Sequence, residues 1–367
     1  MTAARLLVPL LFGVLVATGA SAQDDAAPAP PPPSDVRPDV PAAPESVVLF
    51  DATPVDYVET RPEESARDGD LLRKHGQIVE RTVELPAAPE SQREARRIML
   101  RVKVEPVIDA ARRPSDLWTR LGALSLVEPG PVGSPSREVE IMRFITGFGG
   151  TCVFEQDVTP LAPLLHGRRT VRILLSTYMS PAYRITATLH YDAAGIGARR
   201  PAFAAPLLME EMVTSETGPM LATVTVPEHI TQFRLRILST GHATDGQLGD
   251  EFVTRPHVVL LDGREIARFR PWSERGGPNR HLNPTSGRTA IDGREIWSSD
   301  FDRSGWTPGL VVEPLIIPLL ELTPGEHTIT LRIDGIRAPT EAAPGRGYWR
   351  SSVILVGDEP WPEAAGE

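Results

Sequence analysis

From Val47 onward the chain alternates short apolar runs with breaks rich in Gly, Pro and Asp. The first half carries SVVLFD, RRIMLRVKVEP, GALSLVEP, VEIMRFITGF, TVRILLSTY and YRITATLHY. The second half repeats the style with LATVTVPE, FRLRILS, HVVLLDG, REIARFRPW, HTITLRIDGI and WRSSVILVG. Runs of this length, rich in Val, Ile and Thr and bounded by turn formers, predict antiparallel strands of a sandwich. Helical periodicity is nearly absent, and PLLMEEM (Pro206–Met212) is the one stretch suited to a turn or two of helix. A faint repeat runs through the pattern. RTVELPAAPESQREARRIMLRV has a counterpart in ATVTVPEHITQFRLRIL, and LLHGRRTVRI one in LTPGEHTITLRI, with Gly167 answering to Gly325. Both pairings follow from an all-β fold of two tandem eight-stranded jelly-roll sandwiches packed side by side. The expected boundaries are 47–195 and 196–358, with a tail at 359–367.

The ends of the chain read differently. One arginine, the apolar stretch LLVPLLFGVLVATG and a small-residue ASA before Gln23 predict a secretory signal peptide over residues 1–22. Residues 23–46 form a Pro/Ala/Asp tract expected to be an extended linker. The apolar stretch is short for a membrane span, and no cysteine follows it to carry a lipid, so no membrane anchor is expected. A periplasmic or extracellular protein is the result. The single cysteine of the 367 residues, Cys152, forbids an intramolecular disulfide and reads as an inert core thiol. A net charge of −10 argues against nucleic acid, which needs a basic stripe.

Familiar catalytic signatures are missing: there is no G-x-S-x-G, H-E-x-x-H, Walker loop or His-x-His. No metal or cofactor is implied. The glycine-rich GFGGTC (Gly147–Cys152) suits a strand-joining turn better than a phosphate cradle, since no helix follows it. Between two strand-like runs lies GHATDGQLGDEFVTRPH, Gly241–His257, which gathers His242, Asp245, Asp250, Glu251 and His257. The bland reading is a solvated acidic connection, or a weak Ca²⁺ site, although the spacing fails the EF-hand loop. The sharper reading is Glu251, next to Phe252 at a strand end, where partial desolvation raises a carboxyl pKa and suits it to orient water or hold a hydroxyl. A second long stretch, Arg270–Gly309, holds Trp272, Trp297, Trp306, Arg303 and both asparagines of the chain. Its tryptophans either pin the loop to the sandwich or offer faces for sugar stacking, with Arg and Asn supplying directional hydrogen bonds.

Taken in order, these segments resemble the peptide-N-glycosidase F family, tandem jelly rolls that remove N-linked glycans from asparagine. The second half supplies Gly241-His242, the acid–aromatic pair Glu251-Phe252 before Arg255 and His257, then Asn283-Pro284, then Asp302-Arg303-x-Gly305-Trp306-x-Pro308-Gly309. In the first half, DLWTRLGALSLV, EIMRFITGFG and VTPLAPLLHGRRTVRILLSTY are similar to the family's D-x-W-D-R, R-F-I-T and strand-ending E-T-W segments. The resemblance covers about residues 50–358. It implies Glu251 as the catalytic carboxylate, with substrate held by Arg303, His242, Asp250, Trp306, Trp118 and Arg120. It also marks two departures: Thr119 stands where the family places its principal catalytic Asp, and Ser176 where it places an assisting Glu. The family's disulfide cysteines are absent too. Threonine cannot serve as a general base near neutral pH. Asp116, Glu128, Glu138 and Glu140 are the nearby acids in sequence, with nothing to favour one of them. An N-linked glycan or glycopeptide is the implied partner, either hydrolysed at its amide or only bound. Copper monooxygenases share the tandem architecture but need His pairs and a Met ligand that this chain does not show.

Overall fold

The computed structural model describes residues 44–360, apart from 60–64, 90–94, 131–135, 195–198, 244–248, 292 and 342–344. The expected signal peptide, most of the linker, Asp245 and nearly all of the tail lie outside the described residues.

Ten strands build the first sandwich. One sheet orders β1 (Glu45–Val55), β10 (Tyr183–Ala193), β5 (Arg96–Pro106) and β8 (Cys152–Asp157). The facing sheet orders β2 (Ser65–Asp68), β3 (Leu71–Lys74), β4 (Ile78–Leu85), β9 (Gly167–Leu175), β6 (Leu121–Glu128) and β7 (Arg137–Ile145). The second sandwich has eight strands. They are β11 (Pro201–Val213), β20 (Gly347–Asp358), β13 (Thr231–Ala243) and β18 (Leu315–Pro318) in one sheet, with β12 (Met220–Val226), β19 (Gly325–Ile333), β14 (His257–Leu261) and β15 (Arg264–Phe269) in the other. All pairings are antiparallel, and a small hairpin, β16 (Arg288–Ile291) with β17 (Arg294–Trp297), stands apart.

The two strand orders are copies of one another. The order β1-β10-β5-β8 maps onto β11-β20-β13-β18, and β4-β9-β6-β7 onto β12-β19-β14-β15. The repeat seen in sequence falls at matching register: Leu85 pairs with Gly167, and Val226 with Gly325. Both glycines have positive φ, 63° and 130°, which starts each strand from a turn that a side chain would strain. The first sandwich departs from the expected eight strands through the β2–β3 hairpin, in which β2 is exposed and β3 half-buried throughout, so that no alternation of buried and exposed positions signals a strand in sequence. The helix expected at Pro206–Met212 is also corrected, because these residues lie in β11 and pair with β20. Cross-strand pairing overrides local helix propensity here.

The sandwiches are joined through β7 and β20, each buried on both faces. In β20, Trp349, Val353 and Leu355 enter the second core while Ile354 and Val356 enter the first. In β7, Val139 and Ile141 face the first core, which sends Glu138 and Glu140 to the junction. A register shift between Leu124 and Ser125 of the partner strand then changes the parity, so Met142 and Phe144 return to the core and Arg143 joins the glutamates. The result is a chain of charges: Lys74, Glu80, Arg172, Glu138, Arg350, Glu140 and Arg143, with Glu211 on the far side of Arg350. Arg143 reaches across to the Thr240 hydroxyl at 2.9 Å and the Arg350 carbonyl at 2.6 Å, and Ser352 donates to Glu140 at 2.7 Å.

Backbone contacts complete the junction: Val312 N–H donates to the Arg143 carbonyl and Gly309 N–H to that of Ile145. The GFGG turn contributes close approach, since a Cβ on Gly147 or Gly150 would stand 2.1 or 2.2 Å from the Leu282 carbonyl oxygen. Cys152 is buried beneath that turn, and burial pushes its thiol pKa up.

Burial alone would raise the Glu140 pKa, but Arg143 and Arg350 overcome it and hold the carboxyl at about 2, against an ordinary 4.5. Its stabilising contribution is therefore complete above about pH 4.5 and lost as pH falls toward about 2. We expect Arg143→Met to cost about 3–5 kcal/mol, because it leaves a buried carboxylate short of its partner. We also expect acid melting of the native protein over that same window. Denaturant titrations from pH 7 to 2 measure both, and a variant as stable as the native chain would contradict this account of the junction.

Candidate functional site

The loop between β13 and β14 divides its acids between two tasks. Asp250 is fully buried and accepts from Arg255 Nε at 2.7 Å and Nη2 at 2.6 Å, and from Trp349 Nε1 at 3.0 Å. A Cβ on Gly347 would meet this carboxylate at 2.6 Å, so the glycine makes room for it. With these partners Asp250 fixes the loop. Its neighbour Glu251 is the freer one: its side chain is 19% exposed, and Arg303 Nε donates to it at 3.2 Å. Burial pushes the Glu251 carboxyl pKa up, and Arg303 only partly counters it.

Arg303 is itself held on every side. It lies 1% exposed between Phe252 (5.1 Å) and Trp306 (4.8 Å), and its two terminal nitrogens donate to the carbonyls of Phe301 and Ser298. Trp306 is buried and donates to the Gly241 carbonyl at 2.9 Å, closing the D-R-x-G-W segment onto the start of the loop. His242 stacks between Trp306 (5.7 Å) and Tyr348 (5.2 Å) and bonds the Thr240 hydroxyl at 2.9 Å. Burial, with Arg143 and Arg350 nearby, pushes its imidazole pKa down to about 3, so it is neutral at ordinary pH. His257 is fully buried between the Ser239 hydroxyl and the Arg255 carbonyl, and burial pushes it down to about 4.

The first sandwich contributes the turn before β6. Asp116 is fully buried and receives Arg120 Nε at 2.7 Å, Arg120 Nη2 at 3.0 Å, the Thr177 hydroxyl at 2.7 Å and Trp118 N–H at 3.1 Å. Four donors leave it no lone pair aimed at solvent. Glu138 and Glu140 are likewise spent in the junction. Thr119 and Ser176, far apart in sequence, come together around Leu121: Thr119 precedes it by two positions, and Ser176 N–H donates to its carbonyl. Beside them Trp118 is 61% exposed and Tyr178 65% exposed, with the Arg120 guanidinium 5.3 Å from the Tyr178 ring.

The two walls meet at Tyr348. Burial, then the proximity of Tyr178 and Glu251, pushes its hydroxyl pKa up to about 12. Tyr178 and Tyr348 are the residues that sequence reading did not single out. Tyr178 follows Ser176 by two positions in the LLSTY run, a signal available beforehand, whereas Tyr348 opens a distant strand and carries none.

The long Arg270–Gly309 stretch pins itself down. Asn283 accepts from Phe148 N–H at 2.9 Å and donates to the carbonyls of Asn279 and Pro308. Trp297 lies near Arg280 (5.6 Å) and Arg288 (6.0 Å). Of its three tryptophans Trp306 is buried, Trp297 half-buried and Trp272 the most exposed, at 38%.

The fold is a tandem pair of jelly rolls, with Glu251 and Arg303 paired in its second half. Residues 210–356 match the family model described as peptide-N-glycosidase F, C terminal. PNGF-II superposes with a TM-score of 0.72 at 22% identity over 88% of this chain and 66% of that one, so the chain spans just under two thirds of that relative. PNGase F, a glycosylasparaginase from Flavobacterium meningosepticum, superposes with a TM-score of 0.64 at 18% identity over 86% of this chain and 96% of that one. No curated protein matches by sequence. The second half of the chain is thus similar to the C-terminal part of peptide-N-glycosidase F, and the overall fold is similar to that of these solved structures.

The environment of His242 makes a direct expectation. Its ring resonances should stay flat in an NMR titration from pH 8 to 5 and move only toward about pH 3. A midpoint near the ordinary histidine value of 6.5 would contradict the packed, neutral ring described above.

Proposed function

We propose that the protein is exported and binds N-linked glycan or glycopeptide in the cleft between its two jelly rolls. The observation that carries this reading is that a part-exposed carboxylate, Glu251, and the exposed ring of Tyr178 both lie close enough to Tyr348 to act on its hydroxyl, with Trp118 exposed on the Tyr178 side. Aromatic faces stack on the apolar side of pyranose rings, and a fixed carboxylate accepts their hydroxyl or acetamido donors. Arg303, Trp306 and His242 act beneath that surface. They hold Glu251 and Tyr348 in place rather than meeting the ligand themselves.

A second reading, hydrolysis of the glycan–asparagine amide, is favoured by the burial that pushes the Glu251 carboxyl pKa up, the direction a proton-exchanging carboxyl needs. The opposite wall supports it less. Thr119 and Ser176 offer hydroxyls without base strength, and Asp116 is engaged by Arg120 and Thr177. Losing a general acid–base group typically removes about 10²–10⁴-fold of rate.

Incubating the mature protein with N-glycosylated peptide, followed by mass spectrometry and a binding titration, separates the two. The expected outcome is a measurable complex without free glycan, weakened roughly two- to tenfold by Trp118→Ala, the scale of one aromatic contact. Free glycan with an Asn-to-Asp product, abolished by Glu251→Gln, would establish hydrolysis in its place. Absence of binding with every glycan class would remove the cleft from consideration.

A further inference from the structure

Outside the cleft, a cavity of about 350 Å³ opens at the edge of the second sandwich, between the end of β15 and the start of β18. That volume falls within the roughly 300–1,000 Å³ typical of small-molecule sites. Its floor is Ile237, Ser239 and Phe269, and its rim carries Trp272, Arg275 and Glu313. Arg270 also lines it, with one guanidinium nitrogen donating to the Thr254 carbonyl at 3.1 Å.

The rim is unusual for this protein. Arginines here are mostly tied into ion pairs: Arg143, Arg172, Arg255, Arg303 and Arg350 each hold a carboxylate. By contrast, the side chains of Arg275 and Glu313 and the indole N–H of Trp272 make no hydrogen bond or ion pair to any described residue. All three are solvent-exposed on the wall of the same cavity. Two guanidinium groups against one carboxylate also make the lining locally positive in a chain of net charge −10. An exposed indole face, an unpaired planar cation and an exposed carboxylate, which the buried Arg236 also feels, around an amphipathic floor match a sugar ring that itself carries a carboxylate. The indole stacks on the ring, the guanidinium takes the carboxylate in a bidentate contact, and Glu313 accepts from ring hydroxyls.

We infer that this cavity is a second sugar site, specific for a carboxylated pyranose such as a terminal sialic or uronic acid. It goes beyond the cleft reading and does not depend on Glu251. Trp306 lies between the two sites, lining the cavity while stacking on His242.

Binding titrations of the full chain with sialyllactose, a glucuronate-terminated disaccharide and lactose test the inference. At least one acidic sugar should bind ten times tighter than lactose, and which of the two does so identifies the source. Arg275→Gln and Trp272→Ala should each abolish that preference. Both residues are exposed, so unchanged melting of the variants verifies the fold. Glu251→Gln should leave acidic-sugar binding intact, and the neutral glycopeptide of the cleft assay should bind Arg275→Gln normally, so failure at one site is distinguishable from failure at the other. Equal affinity for acidic and neutral sugars, absence of acidic-sugar binding, or a preference that survives both rim substitutions would overturn it.

Discussion

Two sheets of one chain can be held together by apolar burial alone, but this protein places a buried line of charge where its sandwiches meet. Arg143 and Glu140 have no exposed surface, and Arg350 has almost none. Moving such groups out of water is costly, and only full partnership makes it tolerable. Glu138, Glu140 and Arg143 come from β7 of one sandwich, and their partners Arg350, Ser352 and Thr240 from β20 and β13 of the other, so the network is satisfied in one arrangement of the two sandwiches and in no slipped one. A greasy interface would have tolerated a shift of a residue or two. The proposed site depends on that exclusivity, because Tyr178 and Glu251, which both act on Tyr348, belong to different sandwiches. Arg143 also acts on the site more directly, through the Thr240 hydroxyl that in turn holds His242.

Much of the fold was legible in sequence because strands write themselves as short apolar runs between turn residues. The duplication was visible as well, since Gly167 and Gly325 mark equivalent positive-φ turns at the same pairing position. What failed was local. The β2–β3 hairpin has no fully buried residue and leaves no hydrophobic alternation, and the Pro206–Met212 stretch has helical composition but a sheet partner. A β-bulge opposite Ser125, which turns Arg143 toward the junction, has no sequence mark at all.

The site was legible to a lesser depth. Glu251 and Arg303 could be picked out, yet nothing in the sequence separates Glu251 from Asp250. Only the structure shows that Asp250 is saturated by Arg255 and Trp349 while Glu251 keeps one face open. The same distinction removes Asp116, Glu138 and Glu140 as candidate bases. Position near a cleft does not make a carboxylate available; its remaining lone pairs do. The tryptophans divide in the same way, with Trp306 built into the wall and Trp272 left facing outward.

Strand β20 gives alternate side chains to two cores, Ile354 and Val356 to the first, Val353 and Leu355 to the second. The first sandwich therefore remains unfinished until a segment far beyond its own final strand has arrived. A growing chain that has completed β10 still exposes the apolar hollow those two residues fill. Completion of the first core then waits on a strand that belongs to the second sandwich. The repeat that made two domains of this chain also left them sharing a single closing stitch.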